Sequence, residues 1–120
     1  MKVLVVDDSK IARMGVIKSI KEVYPNAQLL QAINGLEAVE LYEKENPDVV
    51  FLDLTMPVMD GYEALGKIME INKEAQVIVI TADIQNEAKL RVLVAGAKNM
   101  YPKPINGEIM AKIFKQDILL

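Results

Sequence analysis

Apolar residues cluster along this chain in two alternating patterns. Five short runs read as strands: Lys2–Val6, Gln28–Ala32, Asp48–Asp53, Gln76–Thr81 and, more weakly, Asn99–Tyr101. Val49-Val50-Phe51-Leu52 and Val77-Ile78-Val79-Ile80 are continuous rather than alternating, as expected of strands covered on both faces in a parallel sheet. Between the runs, apolar residues recur at three- and four-residue spacing. Ile11, Met14, Ile17 and Ile20 mark a first helix with Ser9 as its cap, and Leu36, Val39, Leu41 and Tyr42 a second, entered through Asn34-Gly35. Tyr62, Leu65, Ile68 and Met69 mark a third. Leu90, Leu93 and Val94 mark a fourth that stops at Gly96, and Ile109, Ile113 and Phe114 a fifth. Pro25, Pro47 and Pro57 fall between elements. The prediction is an α/β domain with strand and helix alternating five times, (βα)5, with no room for a second domain.

Composition narrows the chemistry. The 120 residues carry 14 basic and 17 acidic side chains, a net charge of −3, and neither cysteine nor histidine. Disulfides, thiolate or imidazole zinc sites, cysteine nucleophiles and serine–histidine triads are excluded. The acidic balance argues against direct nucleic-acid binding. The apolar run after Lys2 is too short for a signal peptide, and no run suits membrane insertion, so the expectation is a cytoplasmic domain.

The residues at the strand ends are less ordinary. The first run leads into Asp7-Asp8, the third ends at Asp53, the fourth at Thr81, and the fifth leads to Lys103. In a parallel sheet all carboxyl ends lie along one edge, where open α/β proteins bind ligands. Taken singly, each residue has a plain explanation as a cap, a turn, a strand former or a solvated lysine. Together they bring three carboxylates, a hydroxyl and an ammonium to one place. Two carboxylates ~5 Å apart repel by roughly 3 kcal/mol at an effective dielectric near 20, so the cluster calls for a cation or a proton. Oxygen ligands without His or Cys favour Mg²⁺ or Mn²⁺ over zinc. A carboxylate beside such a metal is a candidate nucleophile towards phosphorus, with metal, ammonium and hydroxyl holding the equatorial oxygens.

Val5-Val6-Asp7-Asp8-Ser9, the stretch from Phe51 through Asp53-Leu54-Thr55-Met56-Pro57 to Asp60-Gly61, Ile80-Thr81-Ala82, Ala95-Gly96-Ala97-Lys98 and Lys103-Pro104 occur in order across almost the whole chain. In these motifs the sequence resembles the receiver domain of two-component response regulators, of the CheY-like kind. The resemblance implies a flavodoxin-like, doubly wound sheet in the order 2-1-3-4-5, with residues 1–120 as one receiver domain. It implies that Asp53 accepts a phosphoryl group. Asp8, Asp53 and the Thr55 carbonyl would bind Mg²⁺, with Asp7 assisting directly or through water. Lys103 would contact the phosphoryl group and Asp53, and Thr81 would swing inward to report the modification. A cis Lys103-Pro104 bond is a further expectation.

The implied partners are a sensor histidine kinase or a histidine phosphotransfer protein as donor, a downstream target protein, and a phosphatase. The target would meet a face made by the fourth helix, fifth strand and fifth helix. The chain would be a signalling switch rather than an enzyme acting on other substrates. A chemotaxis-type stand-alone regulator is favoured over a phosphorelay intermediate or a receiver taken from a multidomain, DNA-binding regulator. A haloacid-dehalogenase-like phosphatase would need a second Asp where Thr55 stands. A degenerate receiver, serving only as an interaction module, would not need all five site residues.

Three departures from the family pattern carry expectations of their own. The usual aromatic three residues before the lysine is replaced by Met100, and Tyr101 comes next. Strand alternation sends these neighbours to opposite faces, so Tyr101 cannot simply take over the role. Pro102 suits only an edge strand. Asp83, two residues beyond Thr81, is expected to tune loss of the phosphoryl group. Of the seven methionines, Met14, Met69 and Met110 have core spacing, and Ile118-Leu119-Leu120 forms an apolar end that packing would explain best.

Overall fold

The computed structural model describes residues 1–119; Leu120 lies outside the described residues. Strands β1 (Lys2–Val6), β2 (Gln28–Ala32), β3 (Val49–Leu52), β4 (Val77–Thr81) and β5 (Asn99–Pro102) alternate with helices α1 (Lys10–Val23), α2 (Gly35–Glu45), α3 (Gly61–Ile71), α4 (Asn86–Val94) and α5 (Gly107–Gln116). The five strands form one parallel sheet in the order β2-β1-β3-β4-β5, as expected. The chain leaves β1 towards β2, then crosses back to β3 on the other side. The topological switch therefore falls between β1 and β3, and a crevice opens at their carboxyl ends.

Helices cover both faces, which is why the central strands are apolar throughout: Val3–Val6, Val49–Leu52 and Val77–Thr81 are all buried. Alternate residues feed two cores. Leu4, Val50, Leu52, Val77 and Val79 pack with Ala38, Tyr42, Leu65, Ile68 and Val92 beneath α2, α3 and α4. Val3, Val5, Phe51, Ile78 and Ile80 pack with Ile17, Ile20, Met110, Ile113 and Phe114 beneath α1 and α5. Met100 joins the first core and Tyr101 the second, so the two neighbours do occupy opposite faces. Pro102 pairs with Thr81 on the edge strand, where a missing N–H is tolerated.

The helix caps accord with the sequence. Ser9, Asn34, Asp60 and Asn106 each accept a hydrogen bond from a backbone N–H of the first turn. Gly96, at φ +115°, comes after the Ala95 C-cap of α4 in a conformation that L side chains rarely adopt.

Several expected inward faces turn out differently. Ile11 is 86% exposed and Met14 is exposed, while Val16, Ile17 and Ile20 are buried. Each step of three residues falls short of a full turn by about 60°, so three steps carry Ile11 to the side opposite Ile20. Leu36 at the start of α2 is exposed, whereas Ala38 and Tyr42 face the core. In α4 the correction is complete: Leu90, Leu93 and Val94 point outward, and Ala88 and Val92 face the sheet. Periodicity identifies residues that share a stripe; the neighbouring layer decides which stripe turns inward. Met110 is fully buried and Met69 partly so. Ile118 packs in the second core, while Leu119 is exposed.

Candidate functional site

Each strand delivers its residue to the crevice by ending there. Asp7 succeeds β1, and its N–H donates to the Ala32 carbonyl at 3.1 Å, extending the β1–β2 ladder by one bond. Asp53 succeeds β3, with its N–H donating to the Val6 carbonyl at 3.0 Å. Thr81 closes β4, and its carbonyl accepts the N–H of Lys103 at 3.0 Å, which fixes where the lysine leaves the edge strand. The Lys103-Pro104 bond is cis, as expected.

The side chains converge. Oxygens of Asp7, Asp8 and Asp53 lie within 4.8 Å of one another, with Asp7 and Asp53 buried and Asp8 exposed. Lys103 Nζ lies 2.6 Å from Asp7 Oδ2 and 3.4 Å from Asp53 Oδ2. The other oxygens of these two carboxylates accept backbone N–H groups, Ser9 to Asp7 Oδ1 and Leu54 to Asp53 Oδ1, both at 2.9 Å. Thr81 is 1% exposed, and its Oγ1 accepts the Asp83 N–H at 3.1 Å. The Asp83 carboxylate accepts the Gln85 N–H, tying it to the turn before α4.

Burial, and after it the charge on Asp7, pushes the Asp53 carboxyl above the usual aspartate range; Lys103 and the Leu54 N–H pull the other way without prevailing. Burial alone would lower the Lys103 pKa, but its bond to Asp7 and the charges of Asp53 and Asp7 outweigh it and raise the value. The lysine is therefore a fixed cation, and the Asp53 carboxyl stays above the usual aspartate range despite it.

The loop after Asp53 is held close to it. Gly61 N–H donates to the Leu54 carbonyl at 2.9 Å, and a Cβ on Gly61 would stand 2.1 Å from the Asp53 carbonyl oxygen. Only glycine permits this approach of α3 to β3. Gly35 N–H donates to Met59 O at 2.8 Å, joining α2 to the same loop. Val58 sits at φ +68°, exposed, a rare conformation for a β-branched residue.

The pocket thus offers carboxylate oxygens of two rigid strand ends and one exposed carboxylate, with a lysine beside them and a buried hydroxyl on the next strand. An all-oxygen donor set of this charge fits a hard divalent cation such as Mg²⁺. All five expected side chains stand at the same edge of the sheet, and Thr55 lies exposed two residues beyond Asp53. Arg13, which no sequence motif singles out, also reaches this region: its Nη1 donates to the Asp7 carbonyl at 2.9 Å. Its position one turn inside α1, just after a strand-ending Asp pair, is the one signal the sequence offers for it.

Fold and pocket together define a flavodoxin-like α/β domain with an acidic, oxygen-ligand crevice at its topological switch point. Residues 3–115 match the family model of the response regulator receiver domain, and the chain belongs to that family. It is 40% identical over 108 residues to the chemotaxis protein CheY of Listeria monocytogenes, covering 90% of each chain. Among solved structures it resembles CheY in the CheX–CheY–BeF₃–Mg²⁺ complex from Borrelia burgdorferi, at 34% identity and a TM-score of 0.81 over 96% of this chain and 87% of that one. It also resembles the chemotaxis protein CheY4 of Vibrio cholerae, at 28% identity and a TM-score of 0.86 over 98% of both chains.

Proposed function

We propose that this receiver takes a phosphoryl group onto Asp53 from a partner's phosphohistidine and uses the change in charge to alter its affinity for a target protein. The observation that carries the reading is the convergence of Asp7, Asp8 and Asp53 within 4.8 Å beside the Lys103 ammonium. An Asp53 oxygen attacks phosphorus, the P–N bond to the donor imidazole breaks, and that nitrogen leaves with its electron pair and takes up a proton. Asp8, Asp53 and the Thr55 carbonyl would hold Mg²⁺, with Asp7 assisting. When bound, the metal supplies positive charge to the transferring oxygens. Lys103 contacts another phosphoryl oxygen, and Thr81 leaves the Asp83 N–H to bond a third. Water attack on phosphorus later releases inorganic phosphate and restores the carboxylate, with Asp83 tuning that step. The chain acts on its own carboxylate and turns over no separate substrate.

The transmitted signal is local electrostatics. A phosphoryl group carries up to two negative charges where only one stood, drawing in Lys103 and Thr81. The α4–β5–α5 face then changes its affinity for a target. Outward-facing Leu90, Leu93 and Val94 on α4 support an apolar contact there. A chemotaxis-type role is supported by the match across 90% of the Listeria relative's own length. No helix among the described residues is long and apolar enough to cross a membrane. Intact-mass spectrometry after incubation with acetyl phosphate and Mg²⁺ should show a single added phosphoryl group. Chelating the metal or substituting Asp53→Asn should abolish it. Persistent modification in Asp53→Asn would overturn the assignment, and turnover of small phosphomonoesters by the wild type would favour a phosphatase.

A further inference from the structure

Arg13 stands within hydrogen-bond reach of the acidic segment yet forms no ion pair with any described carboxylate. Its Nη1 donates to the Asp7 carbonyl at 2.9 Å, and its Nε donates to Gln31 Oε1, also at 2.9 Å, on edge strand β2. The helix position of Arg13 is fixed in turn, because its own N–H donates to the Ser9 carbonyl at 3.0 Å. The guanidinium is thus oriented at two donors by acceptors from two different elements, a use of its planar fork that an ammonium cannot copy.

The bond falls on a sensitive peptide. The Asp7 carbonyl belongs to the peptide plane joining Asp7 to Asp8, just beyond the last β1–β2 pair, Val6–Ala32. The Asp7 side chain is secured at both oxygens, by Ser9 N–H and by Lys103. The Asp8 carboxylate is exposed and has no hydrogen-bond or ion-pair partner among the described residues. With no side-chain partner, its position depends on the backbone that carries it, which the Ser9 N–H bond to Asp7 Oδ1 and the Arg13 bond to the Asp7 carbonyl hold in place.

We infer that Arg13 is a positioning residue of the acidic pocket, which locks the Asp7–Asp8 peptide so that the Asp8 carboxylate is preorganised for the cation. The inference rests on the pocket being a Mg²⁺ site, and it gives Arg13 a role opposite to that of a competing charge. A nearby cation acting only through its field would weaken Mg²⁺ binding, so removing it would tighten binding. A residue acting through orientation makes its removal weaken binding.

Titration of the full chain with Mg²⁺, monitored through the backbone amide signals of Asp8 and Leu54, separates these cases. Arg13→Met should bind Mg²⁺ about tenfold more weakly, the lower end of what losing an outer hydrogen-bond partner of a metal site costs. In the metal-free state the Asp8 amide nitrogen, which shares the peptide with the Asp7 carbonyl, should shift, while signals of the β3 and β4 core stay in place. Gln31→Ala, which removes only the outer acceptor on an exposed residue, should show a smaller loss in the same direction and guards against a folding defect in the first variant. Unchanged or tightened binding in Arg13→Met would overturn the role of Arg13. So would wild-type affinity in Arg13→Lys, since the two-point grip of the guanidinium on the Asp7 carbonyl and Gln31 would then be dispensable. Failure of the wild type to bind Mg²⁺ saturably would instead overturn the reading of the pocket, and the inference with it.

Discussion

The two edges of the sheet are built on opposite terms. At the amino edge, polar groups meet partners of complementary kind: Lys2 N–H donates to Asp48, the Lys2 ammonium pairs with Glu45, and the Gln76 amide exchanges two hydrogen bonds with the backbone of Leu119. At the carboxyl edge, three carboxylates cluster and two of them share one lysine, the Asp53 carboxyl is held above its usual range, and Val58 occupies a left-handed conformation. One edge closes the fold, and the other is left electrostatically incomplete, with more negative charge than Lys103 offsets, which suits a cation.

The largest expected effect tests whether the incomplete edge nonetheless has a rigid floor. In Gly61→Ala the new methyl would press on the Asp53 carbonyl oxygen and the Leu54 Cα, both backbone atoms that cannot move without shifting β3. A loss of about 3 kcal/mol in chemical denaturation is expected, at the severe end for one methyl group. A near-neutral result would mean that the Asp53 loop is free to move, and the contrast between a rigid scaffold and unbalanced charges would fail.

Next comes the charge itself. Because the folded protein raises the Asp53 pKa, the protonated carboxyl favours folding. That contribution is present below the unfolded value of 3.8 and is lost as pH rises through the higher folded value. At neutral pH without metal, Asp53→Asn should therefore be more stable than wild type, by on the order of 1 kcal/mol. The advantage should narrow in acid, as thermal melts across the carboxylate range would show. Equal stability at neutral pH would mean that Lys103 already balances the pocket.

Much of this contrast can be read from the chain before any coordinates. The continuous runs around Val50 and Val79 announce strands buried on both faces, and Asp7, Asp8, Asp53, Thr81 and Lys103 stand out because they all come at or just after the ends of strand runs. Parallel pairing then makes their convergence unavoidable. The outward turn of Leu90, Leu93 and Val94 was not legible. A nine-residue helix with two apolar stripes is oriented by the layer it meets, and small Ala88 lets that layer approach. Nor was the Arg13 clamp, since a guanidinium bonded to a carbonyl and an amide leaves no charge pattern in sequence. Alternation correctly separated Met100 from Tyr101, yet what Tyr101 would bond depended on α5 ending beside it.

At the amino edge, Gln76→Ala removes the pair of bonds to Leu119 and the bond to the Asp48 carbonyl. These groups are partly solvated, so a loss of about 1 kcal/mol is expected in urea denaturation. Mg²⁺ affinity should be unchanged, because the residue stands at the opposite end of β4 from Thr81. A parallel fall in Mg²⁺ affinity would show that the two edges are coupled rather than independent.

The smallest effect concerns Tyr101, which extends the paired character of the amino edge to the end of α5. Its hydroxyl donates to Asp117 and accepts from Asn99, while its ring packs in the core beneath α1 and α5. Tyr101→Phe keeps the ring and loses the bond, at a cost of roughly 0.5–1 kcal/mol. Burial, then the Asp117 hydrogen bond and charge, push the Tyr101 pKa up from 10.0 to about 12. The unfolded chain therefore releases this proton first as pH rises. The tyrosine's contribution is fully present below the unfolded value and declines between it and the folded one. Alkaline denaturation should show a shallower fall in stability for Tyr101→Phe than for wild type across that interval, until the two converge. Identical slopes would mean that the phenol titrates as if in water, and that the satisfied side of the molecule ends at Gln76 rather than reaching α5.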